Sequence, residues 1–310
     1  MQRIEYDRYG GPELMHLAPF TPPPLQDGEV CIRVLAASVN PFDWRLREGE
    51  LKLFTGSKFP RSMGSDFSGV VERIGRKVTR FKRGDEVVGT TSPKASGAFA
   101  EVAITHEKYL VKKPASLSHA QAAVLPIPGV TAWLALIRKA NLQRGQNVFI
   151  NGALGGVGRA AIALARHVGA SVAGRVGPAS VDEAQSYDLS PVLDYNQPIP
   201  SEALNAFDVV FDCNGSLTPQ QGDSLVKPGG MVIDINLTRA KLWRAVFSRH
   251  RNLVFFNRDA ATLQKVVEFA AAGKLQLPIR RTVGLDEAIP TITDLERGKR
   301  LSGKVVIQFN

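Results

Sequence analysis

Cysteine and long apolar runs are both scarce in this 310-residue sequence. Its two cysteines, Cys31 and Cys213, lie far apart and offer no disulfide framework. The most apolar stretch, residues 122–137, is interrupted by two prolines and a glycine, so we expect no membrane-spanning helix. The opening residues MQRIEYDRYGG are charged and polar and lack the apolar core of a signal peptide. These absences predict a protein of a reducing compartment, and we expect the cytoplasm.

Metal-ligand and nucleophile motifs are also missing from the sequence. The five histidines and two cysteines show no zinc-ligand spacing, and no G-x-S-x-G elbow occurs. We therefore expect neither a metal in the site nor serine hydrolase chemistry. If the protein is an enzyme, we therefore expect an organic cofactor to carry the reaction, while the protein positions the reactants and supplies the electrostatic environment.

The excess of basic residues, 39 against 29 acidic ones, gives a net charge of +10. These residues are dispersed, with modest concentrations at residues 73–83 and 241–251. Neither concentration has the aromatic-flanked pattern of an RNA-binding sheet or the spacing of a zinc finger. We interpret the charge mainly as solvated surface, with a share available to an anionic cofactor or to incidental polyanions. A nucleic-acid partner is therefore not favoured.

The pattern of predicted secondary structure changes near residue 115. Before this point, short β-branched runs such as EVCIRVLAAS and FSGVVERIG alternate with glycine and proline turns, which predicts an all-β, barrel-like unit. After it, strands alternate with helical patterns, and their apolar runs lack polar alternation, which predicts a parallel sheet covered on both faces. The tail after residue 262 holds two helical patterns and two short strands. These either extend that sheet or return to the first unit.

The stretch NGALGGVG follows the predicted strand NVFIN and opens a helical pattern. Its glycines have the spacing Gly152-x-x-Gly155-x-x-Gly158, with Gly156 added. In dinucleotide-binding folds one such glycine permits the tight turn, another lets the backbone approach the pyrophosphate, and a third lets the helix pack closely on the sheet. The alternative, a glycine-rich turn without a ligand, is disfavoured by the flanking strand–helix–strand pattern. The stretch therefore predicts a dinucleotide site at a helix N-terminus.

The second strand of this unit indicates which dinucleotide is bound. An NAD site usually places an acidic residue at the end of that strand, and no Asp or Glu occurs between Arg159 and Val181. Arg175 and Ser180 occupy this region instead, and a guanidinium suits a 2′-phosphate. The alternative is that Arg175 is a solvated residue at a strand end. We predict NADPH rather than NADH as the cofactor.

A series of short segments in a characteristic order runs nearly the length of the chain. They include AASVNPFDWRLREG, MGSDFSGVVERIG, GAFAEVAIT, AAVLPIPGVTAWLAL, NGALGGVG and VKPGGMVIDIN. Their order and spacing resemble the zinc-free quinone oxidoreductase branch of the medium-chain dehydrogenase/reductase superfamily. Zinc enzymes of the superfamily carry Cys and His in the segments that read SVNPFDW and MGSDFSG here, and this chain has neither residue there.

The resemblance implies an α/β architecture, a Rossmann doubly wound parallel sheet plus a GroES-like β-barrel catalytic domain. The catalytic domain would comprise residues 1–120, with residues 275–310 returning to it. Residues 121–274 would form the Rossmann NADP-binding domain. The active site is then expected in the cleft between the domains, without metal. Relatives commonly pair through the edge of the cofactor sheet, so we expect a homodimer.

The resemblance also assigns residues to the site, position by position. Asn40 would face the nicotinamide and the substrate, and Thr131 would contact the nicotinamide region. Arg175, Ser180 and Tyr195 would lie near the phosphate of the adenine ribose. The remaining cofactor-binding positions are Gly152, Gly155, Gly156, Val157 and Gly158 at the pyrophosphate, with Asn214, Phe255 and Phe256 along the groove.

The predicted function is metal-free reduction of small quinones or α,β-unsaturated carbonyls by hydride transfer from NADPH. Asn40, a cofactor hydroxyl or water would donate a hydrogen bond to the developing oxyanion, and solvent would supply the proton. Arg45 and Val181 stand where many relatives carry a tyrosine and a basic residue, so we expect rearranged details there. The alternatives are an NADPH-binding redox sensor, a nucleic-acid-binding protein with little turnover, and an enoyl reductase acting on carrier-bound acyl chains.

Overall fold

Two compact units make up the chain in the computed structural model, which describes residues 1–92, 97–236, 250–254, 256 and 258–309. The first unit comprises Met1–Ile127, Arg258–Ala272 and Leu277–Asn310, and the second comprises Pro128–Asn257 and Gly273–Gln276. Within the described ranges, no helix combines the length and the apolar character that crossing a membrane requires.

Strands dominate the first unit and alternate with helices in the second. The strands are β1 (Gln2–Tyr6), β2 (His16–Pro19), β3 (Glu29–Ser38), β4 (Arg61–Ser62), β5 (Asp66–Ile74), β6 (Glu86–Thr90), β7 (Val102–His106), β8 (Leu110–Lys112), β9 (Asn147–Asn151), β10 (Ser171–Val176), β11 (Val192–Asp194), β12 (Phe207–Asp212), β13 (Val226–Asp234), β14 (Arg251–Leu253), β15 (Ile279–Val283) and β16 (Lys304–Gln308). The α-helices are α1 (Pro41–Glu48), α2 (Lys52–Thr55), α3 (His119–Ala123), α4 (Pro126–Trp133), α5 (Gly156–Val168), α6 (Val181–Gln185), α7 (Pro219–Leu225), α8 (Ala260–Ala271) and α9 (Ala288–Glu296).

The first unit holds two sheets. The larger has the order β15-β16-β3-β5-β6-β8, with β7 also paired to β3, and the smaller has the order β2-β1-β4. Strand β16 runs antiparallel to β3, so the end of the chain lies inside the sheet formed by its beginning. Phe67, Phe99 and Ile307 are fully buried in the core of this unit.

Helix α8 belongs to the first unit. The sequence resemblance implies a cofactor domain of residues 121–274, whereas residues 258–272 lie in the first unit. Leu263, Val266 and Val267 form a buried apolar face of this helix, and the helix contacts β8. The contact with β8 links the helix to the first unit.

The second unit is built on one parallel sheet with the order β11-β10-β9-β12-β13-β14. Counted from its first strand, this is the order 3-2-1-4-5-6 of the doubly wound dinucleotide-binding fold. Phe149, Val210 and Leu225 are fully buried in its core, as expected for a sheet covered on both faces. The predicted α/β fold class is confirmed.

Candidate active site

The glycine-rich turn joins β9 to α5 at the point where the strand order reverses. Gly152 has a φ of 84°, in the left-handed region that favours glycine, and its amide donates to the Arg175 carbonyl at 3.0 Å. A Cβ at Gly158 would lie 2.2 Å from the Gly152 carbonyl oxygen and 2.5 Å from that of Ala153. Helix α5 therefore packs directly against the turn, and its first-turn N–H groups, which have no acceptor within the helix, suit an anionic ligand.

The loop after β12 lies next to this turn and is held by a buried carboxylate. Asp212 accepts hydrogen bonds from the amides of Asn214 (3.2 Å), Gly215 (2.7 Å) and Leu217 (3.1 Å). The Asn151 amide group at the end of β9 also donates to Asp212, at 2.7 Å. Carboxylates that accept several N–H groups hold a loop firmly. The structure thus fixes Asn214 beside the turn, and sequence analysis had not identified Asp212.

Arg175 is buried at the end of β10 and is not a solvated strand-end residue. Its Nη2 donates to the carbonyls of Tyr195 (3.1 Å) and Gln197 (3.2 Å), and the guanidinium lies 5.6 Å from the centre of the Tyr195 ring. Within the described residues its Nη1 has no hydrogen-bond acceptor. Arg175 therefore holds the loop that carries Tyr195 and keeps one nitrogen for a further contact.

Tyr195 faces the glycine turn. Its hydroxyl oxygen lies 3.5 Å from the place that a Cβ on Gly152 would occupy. Burial, together with the neighbouring Cys213 and Asp212, raises the pKa of Tyr195 to about 12. The phenol therefore stays protonated at neutral pH and can donate a hydrogen bond. The structure brings Gly152, Arg175, Tyr195 and Asn214 together.

The other assigned residues have less definite surroundings. Ser180 is half-buried at the start of α6, and its amide donates to the Gly177 carbonyl at 2.9 Å. Thr131 is buried in α4, and Phe256 is half-buried. Phe255 lies outside the described residues.

In the first unit, Asn40 is buried at the junction of β3 and α1. Its Nδ2 donates to Asp66 Oδ2 at 3.0 Å and to the Ser38 carbonyl at 3.3 Å. Its Oδ1 accepts from Lys304 Nζ at 2.6 Å. A primary amide has two N–H donors, and both are used here. Asn40 therefore has no N–H group left to donate to an oxyanion.

The carboxyl of Asp43 has a structural role next to Asn40. Its Oδ2 accepts a hydrogen bond from the backbone N–H of Asn40 at 2.8 Å, which fixes the first turn of α1. Burial raises the pKa of Asp43 to about 6 and that of Asp66 to about 8. Burial lowers the pKa of Lys304 to about 8, against the attraction of the two carboxylates.

These pKa shifts predict how stability depends on pH. Asp43 and Asp66 hold their protons to higher pH in the folded chain than in the unfolded chain, so the folded chain binds more protons between about pH 4 and pH 8. We expect these carboxyls to lower the free energy of unfolding as the pH rises through that window. Asp66→Asn should flatten the profile, as urea unfolding at pH 5, 6.5 and 8 would show. Parallel profiles for the two proteins would contradict the expectation.

A cavity of about 420 Å³ lies at the amino-terminal ends of the strands of the parallel sheet, opposite the glycine turn. Asn147, Ser171 and Phe207, which begin β9, β10 and β12, line it. Ligands of open α/β sheets bind outside the carboxyl ends of the strands. We therefore place the candidate cofactor site at the glycine turn and not in this cavity.

Comparisons with known proteins agree with this geometry. Residues 26–115 match the alcohol dehydrogenase GroES-like domain family, and residues 187–307 match the zinc-binding dehydrogenase family. The chain is 33% identical to the chloroplast envelope quinone oxidoreductase homolog of Arabidopsis thaliana, over 78% of this chain and 77% of that protein. It is 34% identical to the NADPH-dependent alkenal/one oxidoreductase, chloroplastic, of the same plant, over 75% of this chain and 62% of that protein.

A solved structure shows the same likeness over the whole chain. The quinone oxidoreductase from Coxiella burnetii superposes with a TM-score of 0.87 at 26% sequence identity, covering 100% of this chain and 99% of that one. Residues 26–115 of the first unit, which include β3 and β5 to β8, therefore belong to the GroES-like domain that the sequence resemblance implied.

Proposed function

Because the chain belongs to the quinone oxidoreductase family of the medium-chain dehydrogenase/reductase superfamily, we propose that it is an NADPH-dependent reductase of quinones or α,β-unsaturated carbonyls. The close contact of Gly158 with the glycine turn carries the proposal, because it sets the N-terminus of α5 against the space that a pyrophosphate takes in this fold. When bound, NADPH supplies a hydride from the nicotinamide ring. One relative is named as an NADPH-dependent alkenal/one oxidoreductase.

The residues present fit this cofactor. We propose that the N-terminus of α5, from Gly155 to Gly158, holds the pyrophosphate. Arg175, Ser180 and Tyr195 would surround the 2′-phosphate, with Asn214 and Phe256 along the groove. Asn40 in the first unit and Thr131 in the second are the residues that we propose for the nicotinamide end.

Arg175 gives a direct test of the phosphate site. We expect Arg175→Ala to weaken NADPH binding about 10- to 100-fold, because a charge-assisted hydrogen bond contributes roughly 1.5–3 kcal/mol. NADH binding should weaken by less than about threefold, from loosening of the Tyr195 loop. Fluorescence titration with each cofactor measures both values. Arg166→Ala is the matched control, because Arg166 lies on α5 in an exposed pair with Asp188. Equal losses for the two cofactors would remove Arg175 from the phosphate site.

The proposed function is tested by the steady-state oxidation of NADPH and NADH with an ortho-quinone and a medium-chain alkenal. We expect NADPH to be consumed with at least one acceptor, and the preferred acceptor defines the subclass. Tight NADPH binding without turnover on either acceptor would favour the redox-sensing alternative. Binding to DNA with a steep salt dependence would favour the nucleic-acid alternative, and turnover only with carrier-bound acyl chains would favour the enoyl reductase.

We further propose that the reaction needs no metal. The segments SVNPFDW and MGSDFSG contain no Cys or His. Among the described residues, the one group of three possible metal ligands is Glu5, Asp7 and His16. Arg3 pairs with Glu5 at 2.5 Å, which disfavours a cation there. Treatment with a chelator before the assay should leave turnover unchanged.

We also propose that the protein forms a homodimer and that it is located in the cytoplasm. Strand β14 is one of the two edge strands of the parallel sheet in the described chain, the other being β11, so a twofold-related copy can extend the sheet at β14. The two cysteines are free, which suits a reducing compartment.

A further inference from the structure

A buried arginine on α5 connects the glycine turn with the segment that follows β10. Arg159 is 3% exposed, and its Nε donates to the Leu154 carbonyl, within the turn, at 2.9 Å. Its Nη2 donates to Glu183 Oε1 at 2.6 Å, and its Nη1 donates to the Tyr187 hydroxyl. One guanidinium therefore joins the turn to α6 and to the residues directly after α6. Sequence analysis had assigned no role to Arg159.

Residues 177–180 join β10 to α6, so the position of α6 helps to determine where this segment lies. Strand β10 is the second strand of the fold, and the adenine ribose of a dinucleotide binds at the carboxyl end of that strand. A Cβ at Gly177 would lie 4.0 Å from Cδ2 of Tyr195, so the segment also borders the Tyr195 ring. Arg159 therefore links the turn proposed for the pyrophosphate to the surroundings proposed for the 2′-phosphate.

The ion pair of Arg159 also governs the charge close to this segment. The first turn of α6 carries Asp182, which is exposed, and Glu183, whose carboxylate is paired with Arg159. A phosphate monoester has a charge of about −1.5 to −2 at pH 7 and is repelled by an unpaired carboxylate, whereas a ribose hydroxyl can donate a hydrogen bond to one. The pairing of Glu183 with Arg159 therefore favours a 2′-phosphate over a 2′-hydroxyl.

On the basis of the proposed reductase function, we propose that Arg159 is a positioning residue for the choice of cofactor. It holds the Glu183 carboxylate and neutralises its charge, so that the site at the end of β10 accepts NADPH in preference to NADH. Arg159 acts through Glu183, because its own donors are directed at protein groups. Helix α5 then contributes to cofactor choice as well as to pyrophosphate binding.

The inference predicts a selective change in Arg159→Met, which keeps the aliphatic stem and removes the charge. We expect the Kd for NADPH to rise about 10- to 30-fold, because a carboxylate without its cation repels a phosphate several ångströms away, while the Kd for NADH stays within about threefold of its original value. Fluorescence titration measures both constants. Calorimetry with 2′,5′-ADP and 5′-AMP, which lack the nicotinamide, should show the same difference and reports on the adenosine end alone.

The combination of Arg159→Met with Glu183→Gln removes both charges and tests the cause. Since no unpaired carboxylate remains, the ratio of the Kd for NADH to the Kd for NADPH should return to within about threefold of the original. Arg166→Met is the matched control, because Arg166 lies on the same helix in an exposed pair with Asp188, and it should leave both constants unchanged. A merely structural role of Arg159 would weaken NADPH and NADH by the same factor.

Arg159→Gln serves if Arg159→Met does not fold, because its amide can still donate to the Glu183 carboxylate without neutralising it. The same selective loss of NADPH affinity is expected. Equal losses for the two cofactors, or a preference that Glu183→Gln does not restore, would overturn the inference while the proposed function stands. If the original protein binds neither cofactor, the proposed function falls together with the inference.

Discussion

Replacing Gly158 with alanine is expected to destabilise the second unit and to weaken its affinity for NADPH. The new Cβ would lie 2.2 Å and 2.5 Å from two backbone carbonyl oxygens, so helix α5 must move away from the turn. Overpacking of this kind lowers the free energy of unfolding by about 2–3 kcal/mol. In the proposed site the displaced helix would also lose charge-assisted hydrogen bonds to the pyrophosphate, and two such bonds correspond to about a 100-fold rise in the Kd for NADPH.

Gly155→Ala separates the two effects. Gly155 has φ −72° and ψ 168°, which alanine adopts easily, and a Cβ there meets only the Gly152 carbonyl oxygen, at 3.3 Å. We expect this variant to keep nearly the original stability in urea unfolding, so that any loss in a fluorescence titration with NADPH reports on the ligand alone. Original affinity in Gly158→Ala would mean that the turn does not hold the pyrophosphate.

Arg47→Met is expected to have the largest effect on the stability of the first unit. Arg47 is fully buried in α1, and its guanidinium binds the Glu296 carboxylate on α9 and the Gly10 carbonyl. Loss of the arginine leaves a nearly buried carboxylate without its cation, and breaking such a pair typically costs about 3–5 kcal/mol. Urea unfolding monitored by circular dichroism measures the change.

Two further variants test this explanation. Arg45→Met removes a guanidinium from the same helix, where Arg45 forms an exposed pair with Glu50, so we expect a loss below about 1 kcal/mol. Combining Arg47→Met with Glu296→Leu removes both charges and should recover part of the stability. Similar losses in Arg45→Met and Arg47→Met would show that burial of the pair is not the cause.

The cofactor unit was predictable because its signals are local. The strand NVFIN, the glycines from Gly152 to Gly158 and the helical pattern that follows are contiguous in sequence, and short-range backbone geometry dictates their arrangement. The alternation of strands and helices then gave the parallel sheet. The place of the C-terminal strands was left open by the residue pattern, because β16 pairs with a strand more than 260 residues earlier.

The environment of the candidate site was less predictable for the same reason. Asn40 was identified, but its partners Asp66 and Lys304 are 26 and 264 residues away, and no periodicity links them. Sequence reasoning correctly placed Arg175 at a strand end. It did not anticipate that the carbonyls of the loop after β11 would surround the guanidinium. The sequence around a residue does not show which distant segment will supply its hydrogen-bond partners.

The pairing of β16 with β3 also bears on how the protein is made. During synthesis the earlier strands of the GroES-like domain leave the ribosome before β16, which pairs with residues 36–38 at the end of β3. The parallel strands β9–β14 all emerge before β16 and form a complete sheet of their own. Vectorial synthesis therefore favours a nascent chain whose nucleotide-binding half folds first. Residues 36–38 of β3 gain their β16 partner only after that last strand has emerged, and an unpaired strand end is open to non-native pairing until then.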